Sequence, residues 1–402
     1  MKKAIFLLLV FSASLFAQNS FYTAYGFGIE SPSAPARNLG MAGTGAAMTD
    51  SIALNTTNPA LWTNFFTTSL QGQIYSSNLA ATQTSFASNL TRFEGFAFKV
   101  PIGKRMGFAL GMSPKTRSVG KMSFTDSTSY AGTMVDYRSV IKSVGGISSF
   151  YLGGGYRLNP NLSLGVKLDL LFGSYLVKTD TDFGNDDEWD SFFKKETSIS
   201  GSQVGLGFLW SFPKIGLNIA GVYEHPLGFK YTQILNYYYG EDDTLPTQSL
   251  EYPSSLRLAV SQKVLENTSV NFDVQMGKVS STIFKKFYLF KKSDAKNPVY
   301  VGLGVEKRSE PYEMKNIWKL MAFRGGIFYR TEPFYQSESV RETGVSFGVG
   351  FPFNRNQNRL DFAVVYSNRD GFLNQEIGTE KVLDFHFSVT TGEMWFQRFS
   401  RR

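Results

Sequence analysis

The stretch NLSLGVKLDLLFGSYLV, residues 161–177, decides the fold class. Leu162, Leu164, Val166, Leu168, Leu170 and Phe172 share one parity, and Ser163, Gly165, Lys167 and Asp169 share the other. A period of two places the sets on opposite faces of a β-strand. In a soluble sandwich the apolar face would point inward. In a membrane barrel it faces lipid, and Lys167 and Asp169 line the lumen.

The pattern recurs to the end of the chain. Met106, Phe108 and Leu110 alternate with Gly107 and Ala109, and Val270, Phe272, Val274 and Met276 with Asn271, Asp273 and Gln275. Leu360, Phe362, Val364 and Tyr366 follow, then Leu383, Phe385, Phe387 and Val389 opposite Asp384, His386 and Ser388. Connectors come in two lengths. Short ones fall at Pro101–Lys104, Leu158–Asn161, Phe212–Lys214, Leu265–Asn267 and Asn354–Asn358. Long polar ones fall at Ser77–Asn89, Pro114–Lys142, Thr181–Lys195, His225–Tyr252, Val279–Asn297, Thr331–Ser339 and Asn368–Glu380. Short periplasmic turns alternating with long outward loops characterise outer-membrane barrels. Only Arg308–Asn316 is long where a short turn is due. The reading is an all-β, transmembrane antiparallel barrel of about fourteen strands, from near Thr67 to near Thr391.

Composition agrees. Residues 1–17, MKKAIFLLLVFSASLFA, read as a secretory leader: Lys2 and Lys3, an apolar core, and Ala17 at the cut. No later stretch approaches the ~18 apolar residues of a membrane helix. Some 385 of the 402 residues then remain, long for one soluble β domain and suited to a large barrel. Cysteine is absent, so disulfides, thiolate metal sites and a lipobox are excluded. The 37 Phe and 20 Tyr suit aromatic girdles at the membrane interfaces. The formal charge is +8, or +6 without the two leader lysines. Export argues for charge on exposed loops rather than for nucleic-acid binding. Lys285, Lys286, Lys291 and Lys292 could meet anionic lipopolysaccharide from an outward loop.

Candidate chemistry is sparse, and neither an enzyme nor a cofactor is expected. Gly344-Val345-Ser346-Phe347-Gly348 matches G-x-S-x-G but sits inside an alternating strand, not the strand–turn–helix of a nucleophile elbow. His225 in a His-Pro loop and His386 in the lumen lack catalytic partners nearby in sequence and set no metal site. The acidic run Asp180, Asp182, Asp186, Asp187, Glu188, Asp190 lacks calcium-loop spacing and reads as a solvated outward loop. Tyr237, Tyr238 and Tyr239 with Trp189 fit the interfacial girdle or a mouth for an amphipathic ligand. Lys167, Asp169, Arg257, Asp273, Glu306, Asp361, Asp384 and His386 have lumenal parity. Such charges must be paired or wet. They either hold a plug by salt bridges or bind a carboxylate headgroup, for which Arg257 has the matching fork.

Residues 18–66 break the strand pattern and read as Gly/Ala/Pro-rich coil with one short helix near Gly43–Asp50. Within them, Arg37-Asn38-Leu39-Gly40-Met41-Ala42-Gly43-Thr44-Gly45-Ala46-Ala47, Asp50-Ser51-Ile52-Ala53 and Asn58-Pro59-Ala60-Leu61 resemble the start of FadL-like proteins, the long-chain fatty acid transporters of the outer membrane. The C-terminal Glu393-Met394-Trp395-Phe396-Gln397-Arg398 resembles FadL-related barrels of Bacteroidetes-type bacteria, a branch that includes the PorV-like proteins of type IX secretion. The resemblance implies a barrel (67–391) entered through a hatch (18–66) carrying Asn58, Pro59 and Ala60, with a tail at 392–402. It implies passage of hydrophobic or amphipathic small molecules across the outer membrane of a Gram-negative-type bacterium after Sec export. The alternative is a non-transporting barrel that anchors or shuttles secreted proteins. Outer-membrane lipid and lipopolysaccharide are the expected surroundings.

Overall fold

The computed structural model describes residue 22 and residues 28–31, 34–82, 87–130, 133–183, 191–238, 240–278, 297–309, 317–332, 340–353, 358–371 and 378–393. The leader, the four loop lysines and the acidic residues 186–190 lie outside the described residues, as do Trp189 and Tyr239.

A two-residue strand β1 (Ile29–Glu30) and a four-residue helix α1 (Ala36–Leu39) precede the wall. The wall runs β2 (Thr68–Ala81), β3 (Ala87–Ile102), β4 (Met106–Pro114), β5 (Thr116–Tyr130), β6 (Thr133–Arg157), β7 (Leu162–Asp182), β8 (Ser191–Phe212) and β9 (Leu217–Tyr237). Two short strands, β10 (Asp243–Thr244) and β11 (Gln248–Leu250), pair with the outer part of β9. The wall continues with β12 (Ser254–Leu265), β13 (Thr268–Lys278) and β14 (Val299–Lys307). After helix α2 (Ile317–Leu320) come β15 (Ala322–Glu332), β16 (Val340–Phe353), β17 (Asn358–Asp370) and β18 (Glu380–Glu393).

Lys115 alone separates β4 from β5, and both pair with β6, so they form one stave. The result is a closed antiparallel barrel of fourteen staves, sealed where β18 pairs with β2 from Glu393↔Thr68 to Glu380↔Ala81. The β18–β2 seam therefore leaves no free edge between the first and last strands, as a spanning sheet requires. Burial follows parity: Leu164, Val166, Leu170 and Phe172 are exposed to the outside, and Lys167 and Asp169 are buried. No helix among the described residues is long and apolar enough to cross a membrane.

The expected outward loops need correction. Pro114–Lys142 and much of His225–Tyr252 are strand, and β6, β7, β8 and β9 run 25, 21, 22 and 21 residues. A membrane crossing needs only ~9–11. Above the hydrocarbon no face must be apolar, so alternation vanishes while backbone pairing persists. His225 accordingly sits in β9, stacked on Tyr223, and not in a loop. Nor does a helix form near Gly43–Asp50. Ala42, Gly43 and Gly45 all take positive φ, which breaks a helix, and the turn of α1 ends at Leu39.

Candidate functional site

The N-terminal segment lies against inward-facing wall positions. It is held at three places, each built from short wall contacts to particular atoms of that segment.

Nearest the short turns, six buried side chains close a ring of alternating charge. Arg37 meets Asp50 at 2.9 Å and Glu306 at 2.7 Å. Glu306 meets Arg324 at 2.8 Å, and Arg324 meets Asp361 at 2.8 Å. Asp361 and Asp50 each accept from Arg359 at 2.7 Å, which closes the circuit. Arg37 and Asp50 belong to the N-terminal segment, and the other four to β14, β15 and β17. Arg324 reaches Asp361 across β16 because Gly350 stands between them: a Cβ there would come within 2.7 Å of both. Burial pushes the Asp50 carboxyl up, but the Arg359 and Arg37 guanidiniums outweigh it and hold it well below the usual range. Burial disfavours the Arg37 cation, yet Asp50 and Glu306 raise it net. Every charge has an opposite neighbour on each side, the condition under which buried charges persist.

One step outward, the wall grips the backbone turn 41–46. Ala42 has φ 61°, a left-handed conformation that costs a non-glycine residue roughly 1–2 kcal/mol. Its N–H donates to Ser346 Oγ at 2.6 Å, and its carbonyl accepts from Tyr300 Oη at 2.6 Å. Arg257 Nη1 donates to the Gly43 carbonyl at 3.3 Å. The Gly45 and Ala46 N–H groups donate to the two oxygens of Asp273, each at 3.1 Å. Ser346, the serine of G-x-S-x-G, thus lies mid-strand and accepts from the backbone of the N-terminal segment.

The third level is Asn58-Pro59-Ala60, which opens a 3-10 helix, Pro59–Asn64. Asn58 Oδ1 accepts from Ala60 N at 2.9 Å, and Nδ2 donates to the carbonyls of Ala46 (2.9 Å) and Phe208 (3.2 Å). Gly207 of β8 makes room: a Cβ there would sit 2.3 Å from Asn58 Oδ1. Trp62 closes the level, fully buried with Nε1 donating to Asn55 O.

Two cavities flank this segment. A cavity of about 270 Å³ on the short-turn side is lined by Arg37, Asp50, Glu306, Arg308 and Arg359. A second of about 150 Å³ lies on the outward side, over Leu39, Ala42 and Gly43. Its walls mix apolar Val222, Phe328 and Val365 with Lys115, Lys167, Arg257, Tyr300 and Arg330. Lys167 bridges Asp169 at 3.2 Å and Glu224 at 2.9 Å. Arg330 bridges Glu342 at 2.6 Å. His386 is buried on the same rim, beside Tyr75 at 5.0 Å between rings, with Tyr75 Oη donating to Asp384 at 3.1 Å.

The outward cavity borders an interruption in the wall. β3 pairs with β4 only from Ile102↔Met106 to Phe96↔Met112. Beyond the bulge at Glu94, between Gln73↔Gly95 and Ile74↔Phe93, β3 pairs with β2 alone among the described residues. On the far side β1 pairs with β5 through Ile29↔Arg117 and Glu30↔Thr116. Glu94 bridges the interruption by an ion pair to Arg117 and accepts from Ser31 Oγ at 3.3 Å. Side chains and a borrowed strand replace the missing ladder.

The closed barrel of fourteen staves has relatives in sequence and in structure. The model of the BamG family matches residues 1–220 and 230–400. The chain belongs to the BamG family. No curated protein matches it in sequence. This BamG-family chain is similar in structure to a FadL homologue of Pseudomonas aeruginosa, at 12% identity and TM-score 0.63 over 90% of this chain and 99% of that one. It is similar to the toluene transporter TodX of P. putida at 12% identity and TM-score 0.56, over 92% and 100% of the chains. At such identity the likeness is one of fold, that of FadL-like outer-membrane barrels.

The structure puts Lys167, Asp169, Arg257, Asp273, Asp361 and His386 inside the barrel, each in a different partnership. It adds Arg37, Asp50, Arg324, Arg359, Ser346 and Tyr300, which sequence reasoning did not join to them. Arg324 and Arg359 share parity with Arg330 and Asp361, a signal available in the sequence. Lys115 and Arg117 fall in the stretch Pro114–Lys142 that reads as loop, and Glu224 borders the one that starts at His225.

Proposed function

We propose that this chain is a passive outer-membrane channel that takes up small hydrophobic or amphipathic molecules, exported with removal of its leader. The observation that carries this reading is the outward cavity of about 150 Å³, set over the N-terminal segment and beside the wall interruption. A cavity of that size holds a benzene-sized molecule when apolar. Its mixed lining suits a ligand with an apolar body and a polar end. A long acyl chain exceeds it, so passage of one requires the segment to act as a hatch and shift, or exit through the interruption. The fold shared with a protein described as a toluene transporter supports the reading. No energy source is implied. In liposomes carrying the purified protein, toluene and medium-chain fatty acids should equilibrate faster than in empty liposomes. Rates equal to empty liposomes for all of them would refute uptake.

A second reading is a barrel that anchors or shuttles secreted proteins. The tall outward wall of β6 to β9 favours it, since 21–25-residue strands raise a sheet well above the bilayer. Cross-linking from Arg138 or Lys194 to an exported protein, with no solute flux, would favour this reading.

A further inference from the structure

We propose that four lysines aligned across the outer face of β5 to β8 bind the phosphate groups of lipopolysaccharide in the outer leaflet. The inference rests on the barrel's place in an outer membrane and is independent of what passes through the lumen. Strand register makes the alignment: Lys121 lies directly opposite Lys142, Lys142 opposite Lys178, and Lys178 opposite Lys194. Paired residues project from the same face, and adjacent strands are about 4.8 Å apart, so the four side chains leave the sheet along a line about 14 Å long. The face is the outer one, since Lys142 and Val144 are exposed and Ser143 between them is buried. The line lies one lipid-facing position outward of Val119, Val144 and Leu176, which are in register with one another. Lys178 is 16 residues beyond Leu162 on β7. At ~3.3 Å per residue and a tilt of ~45°, it stands about 37 Å above Leu162, past a hydrocarbon layer of ~30 Å and among the outer headgroups.

Like charges directly opposite one another destabilise a sheet. Two carboxylates on this face answer the four ammonium groups. Asp180 meets Lys178 at 2.6 Å and Lys142 at 3.4 Å, and Glu196 meets Lys194 at 3.8 Å. Lys121 makes no ion pair among the described residues. Farther out, Arg138 stands opposite Asp182, the opposed arrangement that suits a sheet in water. The lysine line is the departure from it, and it falls at the depth of lipid phosphates. A phosphate lying between two strands accepts charge-assisted bonds from both lysines and removes their repulsion. Lys178 Nζ is 5.3 Å from the Phe192 ring, which packs edge-on against Tyr238 at 5.4 Å, so one ammonium group is held at the line by aromatic contact. The occupant is a lipid because the line borders the apolar belt: acyl chains of the same molecule lie against Val119, Val144 and Leu176. Only register joins these lysines, since they come from four strands, and no local pattern marks them.

The test uses the full-length protein in detergent, titrated with lipopolysaccharide, chemically dephosphorylated lipopolysaccharide or phosphatidylglycerol, with bound lipid counted by native mass spectrometry. Lipopolysaccharide should bind more tightly than either of the others. Lys142→Gln with Lys178→Gln should weaken it about thirty-fold, some five-fold for each lysine, while Lys214→Gln at a short turn leaves it unchanged. Heat-modifiable gel mobility checks that each variant is a folded barrel. Lys121→Gln gives a second readout that needs no affinity. It removes repulsion from Lys142, so it should raise the melting temperature in phosphatidylcholine nanodiscs and lower it once lipopolysaccharide is added. Dephosphorylated lipopolysaccharide binding as tightly as the intact lipid, or equal binding by the native protein and the double variant, would overturn the phosphate site. Phosphatidylglycerol binding as tightly as lipopolysaccharide would overturn the assignment of the occupant. A Lys121→Gln shift of the same sign in both lipids would overturn the role of lipid in neutralising the line.

Discussion

Arg37→Met should unlatch the N-terminal segment without unfolding the barrel. Arg37 donates to Glu306 through Nε at 2.9 Å and Nη2 at 2.7 Å, and it meets Asp50 at 2.9 Å. Removing one partner of a buried ion pair costs about 3–5 kcal/mol because the other charge is stranded. Here both survivors keep a partner: Glu306 retains Arg324 and Arg308, and Asp50 retains Arg359. The lower end, about 3 kcal/mol, therefore applies, and it corresponds to roughly a hundred-fold shift of the closed–open balance. If the open state is populated at roughly 0.1% in the native protein, it should approach a tenth in the variant. The strand ladders do not involve Arg37, so heat-modifiable gel mobility should be unchanged. Planar-bilayer recording should show the rise as more frequent large openings. Pairing Arg37→Met with Asp50→Asn should give less than the sum of the two effects, since both break one circuit. Openings as rare as in the native protein, from a barrel that folds normally, would refute the latch.

Three further outcomes follow from the same geometry. Phe272→Arg, on the lipid face near mid-membrane, should cost ~2–4 kcal/mol in urea refolding into vesicles, whereas Leu265→Arg at the short-turn rim should cost ~0–1; equal costs would mean the depth assignment is wrong. Gly207→Ala puts a Cβ 2.3 Å from Asn58 Oδ1, an overpacking worth roughly 1–3 kcal/mol, and limited proteolysis should find the N-terminal segment more accessible while barrel mobility on gels stays native. The Asp50 carboxyl is held well below its ordinary 3.8 by Arg359 and Arg37 against the opposing effect of burial. Its contribution to closure is therefore complete above that value and lost as pH falls below it. Channel openings should be flat from neutrality to about pH 5 and rise only under about pH 4; a rise between pH 7 and pH 5 would assign gating to another group.

What the sequence decides here is whatever a single strand must satisfy by itself. A strand crossing lipid must be apolar on one face, so Leu162 to Phe172 and Phe362 to Tyr366 declare their orientation locally. Repeated with short turns between, they set the barrel and its count of fourteen. Outside the hydrocarbon that constraint lapses, which is why strand at Thr116–Arg138 and Phe229–Tyr237 looked like loop. Tertiary structure decides everything that depends on two distant segments meeting. Arg37 and Glu306 are 269 positions apart, and no local pattern says which carboxylate an arginine will find. Nor does it show that Gly350 is small so that Arg324 can reach Asp361 past it. The turn 41–46 is the clearest case. An Ala-Gly-rich run has little local preference, and Ala42 takes a left-handed φ only because Ser346, Tyr300, Arg257 and Asp273 converge on that turn from four strands of the closed wall.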